Sequence, residues 1–301
     1  MSDRLDVAKT YKLYIDGKFP RTESGRTTLV ADPKGRPLAH VCRASRKDLR
    51  DAVSAARKAL PGWRDATAYL RAQIMYRMAE MMEGKRDEFA AALRSDGTAP
   101  AAAKKEVEAA IDRLVAFAGW ADKYAQVLGC NNAVAGPFYN FTVPEPTGVV
   151  AVVAPDEPAL LGLIALLAPV VCAGNTCVVV SGQGAGANLA AVTLGEVFAT
   201  SDVPAGVINI LTGERDELVP VIASHRDIDA VHAAGVSDAH RATLREGAAE
   251  NVKRVTIRGA APRTGKSKVA AVDFFDADAC QSPWWIEPFV EMKTIWHPSA
   301  V

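Results

Sequence analysis

A chain of 301 residues with 49% apolar and 23% charged side chains is long enough for roughly two domains and a sizeable core, and its composition excludes disordered, collagen-like and coiled-coil classes. Its 35 basic residues balance its 35 acidic ones, so no net field draws in nucleic acid or an anionic membrane, and neither is an expected partner. Cys42, Cys130, Cys172, Cys177 and Cys280 are scattered without a C-x-x-C pair, and the polar start MSDRLDVAKTYK carries no secretory signal, which points to a reducing, cytoplasmic setting. The longest apolar run, 158–173, is short for a membrane span and is broken by Gly162 and Pro169.

Along the chain, Leu49, Ala52, Val53, Ala56 and Leu60 recur at helical spacing behind Ser45, a residue suited to cap the start. Leu70, Ile74, Met78 and Met81 repeat the pattern, as do Val107, Ile111, Leu114, Val115 and Ala118, so about 47–125 reads as helical, with the methionines in the core. A turn-rich stretch, GCNNAVAGPF, then leads into YNFTVPEPTG, whose alternation predicts an extended ribbon. After Thr147 the character changes. GVVAVVA, TCVVVS, VINILTG, IDAVHAA and VKRVTIR read as strands, separated by helices near 160–172, 186–199, 215–224 and 238–250. Strands this apolar need cover on both faces, and βαβ connections impose parallel order, so this half reads as an α/β, Rossmann-like doubly wound parallel sheet. RTGKSKVAAVDFFDADACQSP lacks periodicity and reads as a linker, and PWWIEPFVEMKTIWHPSAV reads as a closing strand that must pair with something.

One phosphate-binding pattern stands out. Gly182-Gln183-Gly184-Ala185-Gly186-Ala187 fits G-x-G-x-x-A between a strand and a helix, where glycines let backbone amides approach a pyrophosphate. It follows the second strand rather than the first, and neither Asp202 nor Glu214 stands where a ribose-binding acid belongs, so a plain strand-to-helix turn remains the competing reading. His40, His225, His232, His240 and His297 show no metal spacing, and no metal is expected. No G-x-S-x-G elbow is present, and Asp276 and Asp278 beside Cys280 should raise its thiol pKa rather than activate it. Cys172 and Cys177 read as small buried hydrophobes.

The order of these segments resembles the aldehyde dehydrogenase superfamily. YKLYIDGKF, DPKGRPLAHV and KDLRDAVSAARKALPGWRD look like its N-terminal segment, and EVEAAIDRLVAFAGWADKY, EPTGVVAVVAP, LAPVVCAGNT, VPAGVINILTG and ENVKRVTI like its cofactor domain, over about 11–262. IEPFVEMKTIW resembles the closing strand that helps to build the oligomerisation ribbon. The resemblance implies five parts: a helical segment (1–128), a ribbon (129–147), the Rossmann-like sheet (148–262), a linker in place of the catalytic domain (263–288) and a small β oligomerisation extension completed by the closing strand (289–301). Residue by residue, the functional positions depart from the family. Its P-W-N motif falls on Pro155-Asp156-Glu157, where a carboxylate would repel the developing oxyanion. K-P-S-E falls on Val180-Ser181-Gly182-Gln183, F-T-G-S on Ala233-Ala234-Gly235-Val236, and the general-base E-L-G-G on Arg258-Gly259-Ala260-Ala261, where an Arg cannot accept a proton.

The resemblance therefore implies a catalytically inactive subunit, structural or regulatory, whose natural partner is a full-length aldehyde dehydrogenase; some members carry a similarly truncated second domain in the same chain. No catalytic residue is expected. Pro155, Gly182, Gln183, Gly184 and Gly235 form a degenerate remnant of a cofactor site, so NAD(P) should bind weakly. Two alternatives stay open: a nucleotide-binding module or residual oxidoreductase completed by a partner, and a self-associating homo-oligomer with an unrelated binding role.

Overall fold

A computed structural model describes residues 7–259 and 272–299. In chain order the elements are β1 (Lys9–Tyr11), β2 (Thr27–Ala31), β3 (Pro37–Cys42), α1 (Arg46–Asp65), α2 (Ala68–Gly84), α3 (Arg86–Arg94), α4 (Pro100–Trp120), α5 (Tyr124–Leu128), β4 (Cys130–Asn132) and β5 (Phe138–Pro146). There follow β6 (Val149–Val153), α6 (Ala159–Cys172), β7 (Thr176–Val180), α7 (Ala185–Ala199), β8 (Ile208–Leu211), α8 (Arg215–Ser224), β9 (Ala230–Ala234), α9 (Asp238–Asn251) and β10 (Arg254–Arg258). The short helix α10 (Ala277–Cys280), two 3-10 turns and β11 (Val290–Pro298) complete the described chain.

The central sheet is parallel with order β10-β9-β6-β7-β8. β6, its first strand in sequence, lies in the middle; the chain adds β7 and β8 on one side and then crosses to β9 and β10 on the other, which puts the switch point between β6 and β9. Alternation explains why β6 and β7 read as unbroken apolar runs. Val150, Val152, Cys177 and Val179 pack into one core with α2, α4, α6 and α7, while Val149, Ala151, Val153, Val178 and Val180 pack into the other with α1 and α8. Cys172 and Cys177 are fully buried. Burial pushes the Cys172 thiol up to about 12 and the Cys177 thiol higher still, so both serve as packing groups. Among the described residues no helix is long and apolar enough to cross a membrane.

The helical half follows its periodicity with two shifts. Ser45 caps α1 in a capping box with Asp48. In α2 the buried stripe is Arg71, Ile74, Met75, Met78, Ala79 and Met82; Leu70 is exposed, because Arg71 turns inward to donate to the Cys172 carbonyl at 3.2 Å. In α4 Val115 is exposed, and Arg113 and Phe117 take the inner face.

Two segments differ from the sequence reading more substantially. The turn-rich 129–137 stretch contains β4, which joins β5 and β11 in an antiparallel sheet of order β11-β5-β4. β11 pairs with β5 along its whole length, from Val290↔Pro146 to Pro298↔Phe138, so the closing strand finds a full partner inside the chain and leaves only its other edge open among the described residues. PWWIEPF is not strand: Ser282 caps a 3-10 turn, and Pro283 and Pro288 open two such turns ahead of β11. Nor is the stretch before it a loose connection, because Phe274, Cys280, Trp285, Ile286 and Phe289 are buried in the core beside α4 and β9. Residues 260–271, which include the rest of the expected linker and the Ala260-Ala261 half of the general-base position, lie outside the described residues.

Candidate functional site

In a doubly wound sheet the binding crevice opens at the carboxyl ends of the strands, beside the switch point. The loops after β6, β7 and β9 bring Pro155, Gly182, Gln183, Gly184 and Gly235 together there. Asp202 lies at the opposite edge, in the turn between α7 and β8, whereas Glu214 precedes α8 at the crevice edge without a side-chain capping hydrogen bond.

The glycines make room for the chain itself. A Cβ on Gly182 would stand 2.5 Å from the Pro155 carbonyl oxygen and 3.1 Å from Asp156 Cα, and one on Gly235 only 3.0 Å from Pro155 Cβ. Pro155 thus fills the space between the two loops. Gly184 and Gly186 clear a path for Asp96, from the α3–α4 turn: a Cβ on either would meet Asp96 Oδ2 at 2.7 Å, and the Gly186 amide donates to that oxygen at 2.5 Å. The N-terminus of α7, where the G-x-G-x-x-A reading would seat a pyrophosphate, already faces a carboxylate of this chain.

The neighbouring helix is closed in the same manner. The amides of Leu160 and Leu161, in the first turn of α6, donate to Glu106 Oε1 at 2.7 and 3.2 Å. Burial raises the Glu106 carboxyl above the usual carboxylate range, those two amides pull it back, and Glu157 adds a further push upward. At the switch point Arg215, the first residue of α8 and 7% exposed, pairs with Asp156 at 2.7 Å and donates to the carbonyls of Ala154 and Gly235. Asp156 also accepts the Gln183 amide at 2.8 Å, while the Gln183 side chain donates to the Gly213 carbonyl at 3.0 Å. α8 and α9 are joined by His240 and Asp216 at 2.8 Å. The cleft left over has a volume of about 390 Å³ and is lined by the carboxylates of Asp96, Glu106, Asp156 and Glu157.

An acidic cleft, two helix N-termini met by internal carboxylates and an arginine bridging the switch point do not fit a dinucleotide with its two anionic phosphates. Asp96, Glu106 and Arg215 escaped the sequence reading as site groups because their partners come from elements distant in sequence. Arg258, at the general-base position, stacks on Trp285 and donates to His232, with Gly259 immediately after it. Cys280 ends α10 rather than lying outside regular structure, and its raised thiol pKa comes first from burial; Asp276 contributes less, and the two nearby arginines oppose the rise. Among the described residues no group of three or more His, Cys, Asp or Glu is arranged to hold a metal.

Fold and crevice together define a doubly wound α/β scaffold carrying a ribbon extension. The model of the aldehyde dehydrogenase family matches residues 20–280, and the chain belongs to that family. It is 31% identical over 253 residues to the putative aldehyde dehydrogenase DhaS of Bacillus subtilis, which covers 82% of this chain and 50% of that protein. It is 30% identical over 272 residues to the mitochondrial benzaldehyde dehydrogenase of Antirrhinum majus, covering 89% and 49%. The NAD+ complex of an aldehyde dehydrogenase from Bacillus cereus superimposes with a TM-score of 0.78 at 28% identity, over 83% of this chain and 51% of that one. The chain thus spans about half the length of these relatives, and the match runs to residue 280, through the stretch that reads as a linker.

Proposed function

We propose that this chain is a catalytically inactive aldehyde dehydrogenase-like subunit that serves a structural or regulatory role, with a full-length aldehyde dehydrogenase as its partner. The observation that carries the reading is the self-filled crevice: Asp96 meets the start of α7, where the G-x-G-x-x-A reading would seat a pyrophosphate, Glu106 meets the start of α6, and Arg215 bridges the switch point. The altered residues agree with it. Glu157 puts a carboxylate where an oxyanion would need a donor, and Arg258 stands in place of a base. By contrast, the packing of the scaffold and the nine-pair β5–β11 ribbon are kept, which is what a subunit retained for assembly requires.

The purified chain should not oxidise small aliphatic or aromatic aldehydes with NAD+ or NADP+, because a covalent route needs both a thiolate and a base. Turnover abolished by Cys280→Ser would overturn this part of the reading. For the partner, the tagged chain is isolated from its native host and its mass measured by light scattering. A stoichiometric full-length aldehyde dehydrogenase is expected; a homo-oligomer free of any other chain would overturn the subunit role.

A further inference from the structure

The cleft beside the start of α6 keeps a charge that the chain does not answer. Glu106 of α4 is 7% exposed; its Oε1 takes the Leu160 and Leu161 amides, whereas its Oε2 accepts no hydrogen bond among the described residues and yet is not sealed in the core. Since Glu106 lines the cleft, this second oxygen is the one left open to it. Asp96, Asp156 and Glu157, the other carboxylates of the wall, are exposed. Arg215 pairs with Asp156, and among the described residues no cation forms a salt bridge with Asp96, Glu106 or Glu157. Lys105, next to Glu106 in the chain, turns instead to Phe275, with its ammonium 4.9 Å from the ring centroid.

A carboxylate almost wholly withdrawn from water without a counter-ion is costly, and a free acceptor in such a place calls for an explanation. Burial raises the Glu106 carboxyl, the two amides oppose the rise, and Glu157 adds to it, as like charges sharing a wall must. The cleft, of about 390 Å³, has the size of a small-molecule site. Its carboxylates are not gathered as a metal requires: among the described residues no three His, Cys, Asp or Glu are arranged to hold one. The rest of its lining is largely apolar, with Leu93, Ala102, Pro158 and the Phe275 ring. Carboxylates spread along an apolar wall match a ligand of the complementary pattern, in which ammonium groups are spaced by methylenes.

We propose that this cleft is a binding site for a linear aliphatic polyamine, one ammonium of which donates to Glu106 Oε2 while a second lies against Glu157 and Asp96. The methylenes between them pack on Phe275 and Leu93, as the stem of a lysine covers apolar surface while its head keeps to polar groups. The ligand supplies the missing counter-charge and leaves the internal contacts in place, since Glu106 Oε1 stays on the α6 amides and Asp96 Oδ2 on the Gly186 amide. The carboxylates that turn a dinucleotide away are the groups that hold a polycation, and binding requires no partner chain.

Calorimetric titration of the full chain with spermidine at low ionic strength provides the test. One saturable site is expected, and it should persist in a several-fold excess of Mg2+, because a compact, strongly hydrated dication cannot reach carboxylates spread along the cleft. In Glu106→Gln, which keeps an oxygen for the Leu160 and Leu161 amides but loses the charge, affinity should fall by about tenfold or more. Glu157→Gln, at an exposed position, should weaken spermidine several-fold and serves as the variant if Glu106→Gln fails to fold. Absence of saturable heat, displacement of spermidine by Mg2+ at equal concentration, or an affinity unchanged in the folded variants overturns the proposal. None of these results bears on the subunit role, which the aldehyde and native-host measurements decide.

Discussion

Lys253 shows how much one buried charge can govern. Its ammonium is 6% exposed and donates to the carbonyls of Ile222 and His225 at 2.7 and 2.8 Å, satisfying acceptors at the C-terminal end of α8, where the helix dipole favours a cation. Burial still lowers its pKa to about 8, against about 10.4 in an unfolded chain. Between these values the folded chain has released a proton that the unfolded chain retains, so, against the raised thiols of Cys172 and Cys177, which act in the opposite sense above about 8.5, Lys253 makes a contribution to stability that rises with pH from about 8 to about 10. Tyr14, raised to about 12 by burial, acts in the opposite sense, but only above about 10. The slope of the urea midpoint against pH between about 8 and about 10 should therefore be more positive in the unsubstituted chain than in Lys253→Met, and equal slopes would contradict this assignment. The crevice residues are of the same kind. Glu106, Asp96 and Arg215 act through contacts made only by folding, with the partners Leu160, Gly186 and Asp156 lying 54, 90 and 59 residues away along the chain, and no local pattern announces such contacts.

At the scale of elements, much of the molecule was legible in its sequence. The helices α6 to α9 lie within a residue or so of their expected positions, because each is bounded by apolar strands whose alternation on two buried faces leaves no other register. Less legible were the segments where tertiary contacts override local pattern. Arg71 rotates the inner face of α2, β4 forms only because β5 offers it an edge, and the segment 272–289 is ordered by burial of Phe274, Trp285 and Phe289 rather than by any periodicity. This last point bears on the ribbon. Removing 284–301 would strip Trp285, Ile286, Phe289 and Val290 from the core and unfold the chain, whereas a cut after Val290 removes only exposed and half-exposed residues of β11. The chain ending at Val290 should stay folded by circular dichroism yet lose oligomeric mass in light scattering, since Trp296, packed edge-on to Phe138 at 5.8 Å, and the open edge of β11 are the groups best suited to a subunit contact. Unchanged mass would remove the ribbon from the account of assembly.

For the molecule as a whole, scaffold and site have separated. The two cores are packed by residues that point away from the crevice, so the family's fold can persist in a chain spanning half the length of its relatives while Asp96, Glu106, Asp156 and Arg215 at the carboxyl edge are engaged in internal contacts. Asp96, Glu106 and the Asp156–Arg215 pair replace a ligand's negative charges and hydrogen bonds with the protein's own, and a dinucleotide would have to displace them and enter a cleft lined by four carboxylates. Titration calorimetry of the full chain with NAD+ and with NADH measures this directly. No saturable heat is expected with either up to about 1 mM, corresponding to less than about 4 kcal/mol of binding free energy; a dissociation constant in the low micromolar range would overturn the reading of a self-filled crevice.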